Sequence, residues 1–117
     1  MGRERLKNIS AENPEPSNDP FETAIFSAEL GECPSIDLHG LDVNLALDGL
    51  DRFLHHELMQ GADVIKIIHG RGEQILHRKV HEWLERQKQA DLVALFRDSQ
   101  DPKQMNAVTF AALHRLK

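Results

Sequence analysis

The chain has 117 residues, 40% of them hydrophobic, a formal net charge of −5 and one cysteine. That leaves room for one domain and a tail, with a largely aliphatic core because aromatic residues make up only 5%. No stretch approaches the roughly 20 apolar residues of a membrane span, "MGRERLKNIS" has no signal-peptide core, and the lone Cys33 excludes an internal disulfide and fits a reducing, cytoplasmic location.

Residues 1–34 are expected to form a flexible arm. Its stretch "NISAENPEPSNDP" sets three prolines among Ser, Asn, Asp and Glu. At 21–30, "FETAIFSAEL" regains Phe21, Ile25, Phe26 and Leu30 at helical spacing. This short amphipathic segment would dock on its own domain or on a protein partner, since so short a helix is marginal alone in water. From Ser35 to Lys117 the pattern becomes that of one domain. "SIDL" reads as a short strand, and Asp42 can cap a helix that runs to Gln60 and stops at Gly61. Val43, Leu47, Leu50, Leu54 and Leu58 share its apolar face. "DVIKII" (63–68) is an apolar strand, and the helix after Gly72 would bury Leu76, Val80, Trp83 and Leu84. "LVALF" (92–96) and "AVTFAAL" (107–113) read as strands, separated by the polar loop "RDSQDPKQMN". The order β-α-β-α-β-β predicts an α/β two-layer sandwich: a four-stranded mixed sheet with two helices on one face.

Two strands end in His-Gly: "IDLHG" at 36–40 and "VIKIIHGRG" at 64–72. A right-handed crossover makes the two strands parallel, so both boxes fall at carboxyl ends along one sheet edge, about 5 Å apart if the strands are neighbours. Open α/β sheets bind ligands at that edge. Asp37, His39 and Gly40 could then face His69, Gly70, Arg71 and Gly72 across one site. Asp37 and His39 are two apart and share a strand face; a carboxylate beside an imidazole can orient it for proton transfer. The second box opens a helix, whose free N–H groups and partial positive charge suit a phosphate, with Arg71 adding a forked donor. The charge distribution agrees, because Lys66, Arg71, Arg78, Lys79, Arg86 and Lys88 cluster around this box in an otherwise acidic chain. His-Gly-Arg-Gly is neither a Walker loop nor a three-glycine dinucleotide fingerprint.

The boxes "IDLHGLDVNLALDGLDRFL" and "VIKIIHGRGEQILHRKVHEWL" resemble the small MutS-related (Smr) domain over about residues 35–117. The resemblance implies a fold like the C-terminal domain of the third translation initiation factor. It also implies nucleic-acid binding and, in many members, endonuclease activity on DNA or RNA, including messenger RNA on stalled ribosomes. Asp37 and His39 would be the catalytic pair, with Gly40, His69, Gly70, Arg71, Gly72, Arg78 and Lys79 on the backbone. Cleavage of RNA would activate the 2′-hydroxyl, and cleavage of DNA would draw on water or a bound Mg²⁺. Some relatives bind without cutting, so the alternative is a nucleic-acid- or ribosome-binding module whose arm contacts a protein partner. The glycine-rich turn that many members carry before the last strand is "DPKQMNAVTF" here, with Asn106 expected to supply the positive φ.

Other motifs carry less. His77 and His81 have metal-ligand spacing on a helix but no evident third ligand in sequence, so no metal is assigned. His55 and His56 fit a solvated helix face, Trp83 fits the core, Cys33 has no activating neighbour and Gly49 has no assigned role.

Overall fold

A computed structural model describes residues 19–72 and 74–116. The sequence expectations for residues 1–18 lie outside the described residues. The elements run α1 (Pro20–Leu30), β1 (Ser35–Asp37), α2 (Val43–Gln60), β2 (Val64–Ile68), α3 (Gln74–Gln89), β3 (Val93–Asp98) and β4 (Val108–Leu113). Among the described residues, no helix is long and apolar enough to cross a membrane.

Local chemistry sets the boundaries. Asp19 caps α1 by accepting the Phe21 amide at 2.9 Å, with Pro20 in the first turn, where its missing N–H costs nothing. Asp42 caps α2 through the amides of Asn44 and Leu45, and Gly61 ends that helix in the left-handed region at φ 80°. Asn106 takes φ 68° before β4, as the sequence led one to expect.

The sheet order is β1-β2-β4-β3, with β1 and β2 parallel and the other pairs antiparallel. It is the four-stranded mixed sheet the pattern predicts, and α2 and α3 share one face. There Leu50, Leu54, Val80, Trp83 and Leu84 pack with Ile65, Ile67, Val93, Ala111 and Leu113. The structure adds to the two-layer description on the other face. Helix α1 lies there, with Ile25 fully buried against Val64, Val108, Phe110 and Ala112. A sheet covered on both sides needs apolar residues at odd and even positions of its central strands. Strand β4 is buried at every position and β2 is apolar apart from Lys66, as that demands. Phe26, at 52% exposure, points away from the sheet although it lies beside Ile25 in sequence.

Candidate nucleic-acid interface

The two His-Gly boxes do lie side by side. Strands β1 and β2 pair in parallel with Asp37 opposite Ile68, and the Leu38 amide donates to the Ile68 carbonyl at 2.7 Å. Gly40, Gly70 and Gly72 take φ of 78°, 96° and 87°, backbone that a side chain would strain. Both turns therefore depend on glycine for their path at this edge.

At the first box, Ile36 and Leu38 point into the core, so by alternation Asp37 leaves from the other side of the strand. His39 Nδ1 lies 2.7 Å from Asp37 Oδ1, which also accepts the His39 amide at 3.1 Å. These two bonds, the side-chain one first, hold the Asp37 carboxyl below its ordinary value. The pair is open to solvent, with side-chain exposures of 53% for Asp37 and 66% for His39. With Nδ1–H donated to a carboxylate, the neutral ring keeps its lone pair on Nε2. That is the tautomer a general base requires.

The second box behaves differently, and here the structure corrects the expectation. His69 does not face Asp37 and His39. It points to the opposite side of the sheet, beneath α3, and is fully buried. Its ring stacks on His77 with centroids 4.3 Å apart, and its Nε2 lies 3.0 Å from Thr109 Oγ1. Burial, reinforced by His77, pushes its pKa down to about 4, so it is neutral at pH 7. The amides of His69 and Gly70 are also committed, both to the Ala107 carbonyl, at 2.9 and 3.0 Å.

What remains for an anion is the far part of the loop. Arg71 is exposed and donates through Nη2 to the Lys103 carbonyl at 2.6 Å, which spans the gap to the loop before β4. A guanidinium has five N–H donors, so among the described residues this bond uses one of several. Arg71, Gly72, Gln74, His77 and Asn106 line a cleft of about 460 Å³ at the start of α3, where the first-turn amides of a helix lack helical partners. Arg78 and Lys79 lie on the outer surface of α3 and share Glu82, at 3.2 and 3.6 Å, which cancels part of their charge towards a polyanion.

Sequence reasoning missed what lies behind the second box. His77 Nε2 is 3.0 Å from Asp98 Oδ1, and His81 Nε2 is 2.9 Å from the same oxygen. The expectation that His77 and His81 lack a third partner is therefore corrected. The signal was present in β3, where Asp98 continues the inward-facing period of Phe96. Reading the strand as ending at Phe96 placed Asp98 in a loop.

A two-layer α/β core, with two glycine-dependent His-Gly turns at neighbouring parallel strand ends, defines the class of domain. A family model described as the Smr domain matches residues 36–114, and the chain belongs to that family. The Smr domain of Thermus thermophilus MutS2 superposes with a TM-score of 0.64 and 31% identity, over 69% of this chain and 98% of that one. Endonuclease MutS2 of Maridesulfovibrio salexigens is 44% identical over 50 residues, and that of Thermomicrobium roseum 39% identical over 51. These matches cover 43% and 44% of this chain and 6% of each of those longer proteins.

Proposed function

We propose that this protein is an endonuclease acting on the phosphodiester backbone of RNA or DNA, with Asp37 and His39 as its catalytic pair. The observation that carries this reading is the 2.7 Å contact from Asp37 to His39 Nδ1, which favours the tautomer a general base requires. The names of the MutS2 relatives support the same class of chemistry. On RNA, His39 Nε2 takes the 2′-hydroxyl proton as that oxygen bonds to phosphorus. The bond from phosphorus to the 5′-oxygen breaks, and the imidazolium returns a proton to the leaving oxygen. On DNA, a water is the attacking group. Asp37 holds the ring in the required tautomer and stabilises its charged form. Arg71 and the start of α3 grip the adjacent backbone.

The test separates binding from cutting. Asp37→Asn and His39→Ala should fold and bind a single-stranded oligonucleotide close to wild-type strength, and each should cut at least about a hundred-fold more slowly. The double variant should be little worse than the poorer single, because the two residues act as one unit. Matched RNA and DNA substrates, with Mg²⁺ or EDTA, assign the nucleic acid and any metal requirement. Wild-type-like cleavage by both single variants rules out this pair. The exposure of the pair favours one alternative, a binding module for nucleic acid or the ribosome. Intact binding with no cleavage of any substrate by the wild type would establish it.

A further inference from the structure

The cluster behind the second box gathers three polar side chains around one carboxylate. Asp98 Oδ1 lies 3.0 Å from His77 Nε2, 2.9 Å from His81 Nε2 and 2.9 Å from Thr109 Oγ1. His77 Nε2 also lies 3.1 Å from Asp98 Oδ2, and His81 Nε2 lies 3.1 Å from Thr109 Oγ1. The two imidazole nitrogens are themselves 3.2 Å apart. One N–H···N hydrogen bond would satisfy this contact, and so would a cation that takes the lone pairs of both nitrogens. His69 lies alongside, fully buried, with Nδ1 lacking any partner among the described residues.

We propose that His77, His81 and Asp98 bind a divalent metal of the zinc class. The spacing supports it. Ligands at about 2.0–2.1 Å around a tetrahedral Zn²⁺ stand roughly 3.3 Å from one another. The three donor pairs here are separated by 3.2, 3.0 and 2.9 Å, so they form one face of such a tetrahedron, slightly contracted. A cation there would be held by both ring nitrogens and the carboxylate oxygen at once. A ring nitrogen of His69 also lies within 4.8 Å of the His77 and Asp98 ligand atoms, but its ring stacks parallel on His77, so its in-plane lone pair cannot reach the same ion. Imidazole with a single carboxylate suits Zn²⁺ and its Co²⁺ surrogate better than Mg²⁺, which prefers oxygen ligands. Elements α3 and β3, and the residue that opens the Gly70–Gly72 turn, all meet at this cluster. The ion would pin the helix that lines the anion cleft to the sheet beneath it. The inference does not depend on the nuclease reading, because Asp37 and His39 lie on the other side of the sheet.

The test uses the untagged full chain, stripped with EDTA and desalted. Co²⁺ titration should reach saturation at one equivalent with the visible absorption of a tetrahedral nitrogen–oxygen site. One equivalent of Zn²⁺ should abolish that absorption and raise the Tm. His77→Ala and Asp98→Asn should each lose the absorption, and a His55→Ala/His56→Ala variant should keep it. If the cluster variants fail to fold, wild-type NMR decides. Zn²⁺ should then shift the ring protons of His77 and His81 and leave those of His55 and His56 in place. Absence of saturable Co²⁺ or Zn²⁺ uptake by the wild type would overturn the site, and so would binding undiminished in His77→Ala and Asp98→Asn. None of these readouts uses cleavage, so this inference and the nuclease reading fail separately.

Discussion

Truncating Ile25 to alanine tests whether α1 is part of the fold. The side chain is fully buried against Val64, Val108, Phe110 and Ala112. The change removes three carbons, worth about 0.8 kcal/mol each in transfer free energy, or roughly 2.4 kcal/mol. A cavity term adds to this, because sheet residues relax only partly, and the measured range for such truncations is about 2–5 kcal/mol. We expect a loss of about 3 kcal/mol. For a domain of this size each kcal/mol lowers the Tm by about 4–8 °C, so the Tm should fall by about 12–24 °C. Urea unfolding followed by circular dichroism should show a lower midpoint with an unchanged slope. Phe26→Ala is the control, half exposed on the adjacent position, and should change stability by less than about 0.5 kcal/mol. An equally small effect from Ile25→Ala would show that α1 is dispensable and that the sheet's second face does not need it.

Two further measurements address the interface and the helix anchor. Arg71→Ala should weaken binding to all single-stranded sequences about equally and reduce the salt slope by roughly one unit between about 50 and 200 mM salt; an unchanged slope would return Arg71 to a purely structural role on the Lys103 carbonyl. Glu29 is partly buried, which raises its pKa, but the Gln100 amide at 2.6 Å, the Ser99 hydroxyl at 2.9 Å and Arg97 at 2.9 Å outweigh this and hold it below the ordinary value. A depressed carboxylate contributes stability above its unfolded pKa of about 4.3, and that contribution is lost as pH falls through the lower folded value. Glu29→Gln should therefore cost about 1–3 kcal/mol at neutral pH, and its deficit against wild type should shrink as the pH is lowered below about 4. A deficit that does not vary with pH would assign the effect to packing alone.

Much of the fold was legible because its signals are local. Asp42 and Gly61 mark the ends of α2 within a residue, and the apolar periods of α2 and α3 mark the faces that meet the sheet. The parallel pairing of β1 and β2 followed from the crossover rule, and with it the adjacency of the two boxes. The unread part depends on distant contacts. Nothing between residues 20 and 30 states that Ile25 and not Phe26 will be buried, because the sheet that decides this is built from strands between 64 and 113. The His77–His81–Asp98 cluster was hidden for a related reason. The pairings of Asp98 with Thr109 and Arg97 with Phe110 carry β3 two residues past its apolar run. Those two residues send Asp98 inward to the histidines and Arg97 outward to Glu29.

The repeated His-Gly therefore does not mark two equivalent histidines. The register sets Asp37 opposite Ile68, so His69 falls opposite Leu38 and not opposite His39. An offset of one residue on a strand exchanges the two faces. His69 accordingly shares the buried side of Leu38, while His39 stays beside Asp37 in solvent. The turns themselves are alike in needing glycine at positive φ, and that is what the motif repeats. Chemistry divides along the same line. The role proposed for His39, that of a base, needs solvent access, and its side chain is 66% exposed. A buried neutral imidazole is suited to holding other groups in place, and His69 meets His77 and Thr109 at the point where the Gly70–Gly72 turn begins. The parity of one strand pair thus places the proposed catalytic pair, Asp37 and His39, on one side of the edge and the buried His69 on the other.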